Sequence, residues 1–207
     1  MQPSGYTIFM VEDDQSVRDA LGLLLGLQGY PVVMFADAES FLKAYRQEWR
    51  GCLLIDIRMP GMDGLALQKR LLESGCRIPV IVMTGHGNVE SAREAFLSQA
   101  VDFLEKPIDH AKLMRAIGEA FARQMDAENQ ENESTEFTQL LANLTPRETE
   151  VMELVVEGRH NREIAEALDI SPRTVEVHKA RMMMKLRVES VPDLVRLSLR
   201  RHNKNRT

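Results

Sequence analysis

The chain has only two cysteines among 207 residues, and Cys52 and Cys76 lack any spacing that could clamp a metal. A disulfide scaffold and a thiolate metal site are thereby excluded, and both residues read as small apolar groups in a reducing compartment. The opening Met1-Gln2-Pro3-Ser4-Gly5 has no basic leader, and the apolar stretch behind it meets Glu12 within a few residues. No run of 18 apolar residues occurs. Neither a signal peptide nor a membrane helix is therefore expected, and the predicted location is the cytoplasm, with no membrane partner.

Basic charge is missing from one segment. Residues 125–143 hold 5 acidic side chains and no lysine or arginine, and Met125 to Phe137 is nearly without apolar residues. Such a stretch cannot bury a core; it reads as an acidic linker, with room for a frayed helical extension of what precedes it. On either side the charge is present but uneven. Residues 1–124 carry 13 Lys+Arg against 16 Asp+Glu, and residues 144–207 carry 13 against 10. Ser171–Thr207 alone has 10 basic and 3 acidic residues, which calls for an anionic partner. Two domains follow, 1–124 and 144–207, and 44% apolar residues allow each its own core.

Short β-rich runs, Thr7–Val11, Pro31–Phe35, Cys52–Ile55, Ile78–Met83 and Val101–Leu104, alternate with segments of helical spacing such as Val17, Leu21, Leu24, Leu25. This alternation predicts an α/β fold, a flavodoxin-like doubly wound sheet of five parallel strands. Ligands of such sheets bind outside the carboxyl ends of the strands. Glu12-Asp13-Asp14, Asp56, Thr84 and Lys106 all stand at such ends. Any one of them alone is as readily a capped or solvated strand end, and Lys106 alone a snorkelling lysine; the ordered set is not.

Carboxylates crowded at one edge repel unless a cation joins them, so Glu12, Asp13 and Asp56 imply a divalent metal, magnesium by preference. Lys106 adds a point charge and Thr84 a hydroxyl for phosphate oxygens, and Lys106 before Pro107 suggests a fixed, cis-capable peptide bond. Together these groups suit phosphoryl transfer to a carboxylate, with Asp56 as nucleophile.

The motifs Val11-Glu12-Asp13-Asp14, Leu54-Ile55-Asp56 through Met59-Pro60-Gly61-Met62-Asp63-Gly64, Val82-Met83-Thr84-Gly85-His86-Gly87 and Asp102-Phe103-Leu104-Glu105-Lys106-Pro107 resemble a response-regulator receiver domain over about residues 6–123. The resemblance implies that Asp56 is the phospho-acceptor and that Glu12, Asp13, Asp56 and the Arg58 carbonyl hold Mg2+ or Mn2+. It makes Thr84 the switch hydroxyl, Phe103 the switch aromatic and Lys106 the phosphate-binding lysine. His86 is expected to tune access as a loop residue rather than carry phosphate. One position departs from the family: a Gly-Ala step before the last strand is here Gln99-Ala100. Glutamine disfavours the positive φ that glycine would take, so an altered turn is expected.

After Leu144 there is no strand pattern. Thr145-Pro146-Arg147-Glu148 marks a helix start, with a body on Val151, Leu154 and Val155 that stops at Gly158. Asn161 would cap a second helix, Arg162–Leu168, Ser171-Pro172 opens a third over Arg173–Leu186, and Pro192–Leu199 forms a fourth. This is a small all-α four-helix domain with helix-turn-helix spacing. On the third helix Val175, Met182 and Leu186 fall inward, and the run Met182–Met184 reads as core. Arg173, Thr174, Glu176, Val177, Ala180 and Arg181 fall outward. Lys179, Arg181 and Lys185 are expected along or beside that face as cations for phosphates or guanine, and Glu176 can accept from cytosine N4.

Leu144-Thr145-Pro146-Arg147-Glu148, Glu163-Ile164-Ala165, Ser171-Pro172-Arg173-Thr174-Val175 and Val177-His178 to Lys185-Leu186 resemble a LuxR-type DNA-binding domain. The combination is similar to the FixJ branch of the NarL/FixJ response regulators. It implies a sensor histidine kinase, double-stranded DNA and RNA polymerase as partners and a homodimer on phosphorylation. It also implies a fourth helix that pairs two reader domains and no enzymatic activity beyond the protein's own phosphorylation and dephosphorylation. A phosphotransfer sink or relay, its C-terminal helices making protein contacts only, is the alternative, and the basic Ser171–Thr207 stretch favours DNA. No role is assigned to the basic tail Arg200–Arg206.

Overall fold

The computed structural model describes residues 5–85 and 89–204, with residues 199–204 as backbone only. The chain forms two compact units, Met1–Ala127 and Glu128–Thr207. The first contains β1 (Thr7–Val11), α1 (Gln15–Leu27), β2 (Val32–Phe35), α2 (Ala38–Ala44), β3 (Gly51–Asp56), α3 (Gly64–Glu73), β4 (Val80–Thr84), α4 (Val89–Leu97), β5 (Asp102–Glu105) and the start of α5 (His110–Leu141). All strand pairs are parallel and the sheet order is β2-β1-β3-β4-β5. The order reverses beside β1, where an open sheet leaves a crevice at its carboxyl edge.

The central strands β3 and β4 are buried at every residue, as strands covered by helices on both faces must be. Ile8, Met10, Leu54 and Ile81 face Leu25, Leu113 and Ile117 on one side. Phe9, Leu53, Ile55 and Val82 face Phe41, Leu67 and Leu71 on the other. Cys52 is fully buried in the sheet, and desolvation pushes its thiol up, out of the reactive range.

Residues 125–143 carry the helical extension for which the sequence left room, but not a bare linker's lack of core residues. They are helical as far as Leu141, and Phe137 is buried in the second unit's core with Leu140, Leu141 and Leu144 against it. The spacing i, i+3, i+4, i+7 of these four is an amphipathic stripe, which the acidic average of the segment conceals.

The second unit continues with α6 (Pro146–Val156), α7 (Asn161–Leu168), α8 (Pro172–Leu186) and α9 (Val191–Lys204). Thr145 and Glu148 form a reciprocal capping box at α6. Gly158, at φ +85°, follows the end of that helix. Asn161 is the first residue of α7 rather than its cap; the Glu163 carboxylate accepts from the His160 N–H at 2.7 Å instead. α9 runs through Lys204, so most of the segment expected as a tail is helix.

Candidate functional site

The carboxyl edge of the sheet is built by caps and clamps. Asp14 accepts from the N–H groups of Ser16 and Val17 and starts α1, which removes it from the acidic site and leaves Glu12 and Asp13 there. Arg18 donates from one nitrogen to the carbonyls of both Glu12 and Asp13, each at 2.7 Å. That clamp, which fixes the loop bearing the acidic pair, has no sequence signal beyond an arginine on the following helix. Asp63 caps α3 through the Ala66 N–H, and Gly64 brings that helix close beneath Asp56: a Cβ there would lie 2.2 Å from the Asp56 carbonyl oxygen.

Glu12, Asp13 and Asp56 each place a carboxylate oxygen within 4.8 Å of the others. Glu12 and Asp56 are buried; Asp13 is exposed. The Lys106 ammonium donates to Glu12 Oε2 at 2.6 Å. It lies 3.2 Å from Asp56 Oδ1, but it is directed at Glu12, and the buried Asp56 Oδ1 accepts no hydrogen bond. Thr84 is buried at the end of β4, and its carbonyl holds the Lys106 N–H at 2.7 Å. The Lys106–Pro107 bond is cis. Phe103 is half-buried and packs on the core beneath this edge. Arg58 is exposed in the segment between β3 and α3. His86 lies outside the described residues.

Burial raises the carboxyl of Glu12 despite its bond to Lys106, and burial together with the nearby Asp13 raises that of Asp56 against the pull of Lys106. Lys106 is opposed by desolvation, yet Glu12 and Asp56 hold it above the ordinary lysine range. One ammonium does not neutralise this site. An all-oxygen donor set with a buried, unbonded carboxylate oxygen fits a hard divalent cation.

The turn at Gln99 is not altered. Gln99 takes φ +66°, and Ala100 N–H closes the motif on Ala95 O at 2.9 Å. The backbone that glycine would favour is kept, at a cost of about 1–2 kcal/mol for a side chain in that region.

On α8 the outward set is as read: Arg173, Glu176, Val177, Ala180 and Arg181 are exposed, and Thr174 and Lys179 partly so, while Val175, Met182 and Leu186 are buried. Met184 is 75% exposed and does not belong to the core. Lys185 corrects the expected row of DNA-facing cations. Its ammonium donates to Glu148 Oε2 at 2.6 Å and to the Asn143 carbonyl at 3.2 Å. Glu148 is only 3% exposed, and a buried carboxylate needs a cation. Helical spacing alone could not have shown this, because the partner comes from α6.

Two family models cover most of the chain. The response regulator receiver domain matches residues 8–118, and the luxR family of bacterial regulatory proteins matches residues 142–198. The chain is 42% identical over 193 residues to the transcriptional regulatory protein FixJ of Bradyrhizobium diazoefficiens, covering 93% of this chain and 94% of that one. This chain belongs to the FixJ family of response regulators. The response regulator TodT of Pseudomonas putida is a further relative, 36% identical over 200 residues and covering 97% and 88% of the two chains. Among solved structures, that of the response regulator StyR matches with a TM-score of 0.77 at 37% identity, over 94% of this chain and 98% of that one. Full-length FixJ from B. japonicum matches with a TM-score of 0.59 at 40% identity, over 97% and 98%. As a FixJ-type regulator the protein joins a receiver to a LuxR-type domain. It is a DNA-binding response regulator of a two-component system, which implies a sensor kinase and DNA as partners. No described helix is long and apolar enough to cross a membrane.

Proposed function

We propose that Asp56 is the residue phosphorylated in this FixJ-family regulator, and that its phosphorylation controls DNA binding through dimerisation. The observation that carries the reading is the buried Asp56 Oδ1, which accepts no hydrogen bond while Lys106 stands 3.2 Å away and Glu12 and Asp13 flank it. A carboxylate oxygen left with a free lone pair beside a cation is a nucleophile held ready. In the reaction an Asp56 oxygen forms a bond to phosphorus as the phosphorus–nitrogen bond of a kinase phosphohistidine breaks, and the imidazole leaves with its electron pair.

Glu12, Asp13, Asp56 and the Arg58 carbonyl are the proposed ligands of Mg2+ or Mn2+, which when bound neutralises phosphoryl oxygens. Lys106 transfers its hydrogen bonding from Glu12 toward the phosphoryl group, and Thr84 donates its hydroxyl to another oxygen. Phe103 then turns inward, which links the site to the surface formed by residues 88–99, 101–104 and 109–122. Asn88 of that surface lies outside the described residues. We infer that this surface pairs two receivers, that α9 pairs two reader domains on DNA, that RNA polymerase is the downstream partner and that the protein acts in the cytoplasm. The proposed division is a receiver over 1–124 and a DNA-binding domain over 144–207. Catalysis is confined to the protein's own phosphorylation and dephosphorylation.

On DNA, α8 enters the major groove with Arg173, Thr174, Lys179 and Arg181 toward phosphates or guanine, Val177 and Ala180 toward base edges and Glu176 as an acceptor. The test is phosphorylation with a small phosphodonor and magnesium, followed by duplex binding and sedimentation. The reading expects acid-labile phosphate on Asp56, and a dimer that binds DNA more tightly with a steep salt dependence. A monomer at concentrations where duplex binding is enhanced would remove dimerisation from the scheme. Phosphate uptake without any salt-sensitive DNA binding would favour the relay alternative.

A further inference from the structure

We propose that the hollow at the edge where β4 and β5 begin is a binding site for a small monocarboxylate with an apolar body. It lies at the opposite end of the strands from Asp56. Its wall comes from α3, the segment leading into β4, the turn between α4 and β5, and α5. Its volume is about 290 Å³, at the small end of ligand cavities.

Chemistry selects the ligand class. Leu71, Ile78, Val80 and Val101 give the cavity hydrocarbon walls. The charged groups among its described lining are Arg77 and Arg123, with no carboxylate among them. Arg77 has an interaction of its own within the chain, so the guanidinium that favours an anion beside this apolar hollow is that of Arg123, which matches a carboxylate with paired donors. The walls favour an anion that also has hydrocarbon to bury, which separates a monocarboxylate from inorganic phosphate.

A further residue belongs to the same place. Gln99 lines the cavity from its strained φ of +66°, where glycine would sit without cost but would bring no side chain. A carboxylate here would give the receiver an input separate from Asp56.

The experiment is calorimetric or NMR titration of the full-length protein with hexanoate and benzoate, against hexanol, benzyl alcohol and inorganic phosphate. Saturable binding of at least one carboxylate is expected, about tenfold or more tighter than its alcohol and than phosphate. Arg123→Met should weaken carboxylate binding about tenfold, while uptake of phosphate from a small phosphodonor stays unchanged and shows an intact receiver. Arg123 is the residue to replace, because Arg77 already has an interaction within the chain. Leu72→Ser, at the partly exposed rim, should weaken the same probes severalfold through lost apolar contact. No saturable binding in the millimolar range, equal affinity of the alcohols, or undiminished binding to Arg123→Met would each overturn the proposal.

Discussion

A lysine ammonium lies 2.6 Å from a glutamate in each unit, Lys106 beside Glu12 in the first and Lys185 beside Glu148 in the second. Both glutamates are buried, and the pairs are alike in length, yet their surroundings differ. Glu148 accepts from Lys185 and from the Thr145 N–H at 2.8 Å, and these donors hold its carboxyl down to about 2. Glu12 shares its lysine with Asp56, and burial raises both carboxyls instead. The C-terminal pair is satisfied and therefore structural. The N-terminal pair is short of cations, and that shortfall is what a metal and a phosphoryl group can use. Ion-pair length alone does not separate the two; the count of carboxylates per cation does.

The largest effect expected is qualitative. Asp56→Asn should abolish phosphorylation by a small donor, because an amide is a poor nucleophile, whereas Glu148→Gln should leave it intact. Radiolabel incorporation checks both, and equal labelling of Asp56→Asn and the parent would sink the acceptor assignment.

Breaking the second pair should instead cost stability. Lys185→Met leaves a buried carboxylate without its cation and should destabilise the second unit by about 2–3 kcal/mol. Arg181→Met, on the exposed face, should leave stability within about 0.5 kcal/mol and lower the salt slope of duplex binding by about one. Denaturant melts and salt titrations compare them, and the comparison fails if Lys185→Met melts like the parent while weakening DNA binding. The same pair has a pH signature. With the folded carboxyl at about 2 and the ordinary value at 4.5, its contribution is full above pH 4.5 and is lost as pH falls toward 2. Glu148→Gln should flatten that limb of the stability profile in acid.

A smaller effect is expected at Glu176, the exposed carboxylate of α8. Glu176→Gln should relax discrimination at one base pair per half-site by about 1–3 kcal/mol while non-specific affinity holds or rises. Selection of binding sites with the variant reads this directly, and an unchanged motif would reduce Glu176 to a solvated residue. The smallest is Gln99→Gly, which should stabilise the first unit by about 0.5–1 kcal/mol by removing the positive-φ strain, less the entropy that glycine adds to the unfolded chain. Thermal unfolding of the two proteins measures it; no gain would mean that the Gln99 side chain repays its backbone.

Period, caps and charge determined much of this protein without coordinates. The five expected strands coincide with the observed ones to within two residues at their ends, because buried parallel strands are continuous apolar runs set off by turn residues. The gathering of Glu12, Asp56, Thr84 and Lys106 was legible because strand ends of a doubly wound sheet share one edge. The inward stripe of α8 followed from helical period. What tertiary structure decided was pairing across elements: Lys185 turned from the DNA face to Glu148 of α6, Arg18 clamped the acidic loop, and Phe137 joined a core from within an acidic segment. Local sequence fixes the face on which a residue starts, but a long side chain spans several ångströms. Which partner it reaches depends on what the fold brings near and leaves uncompensated.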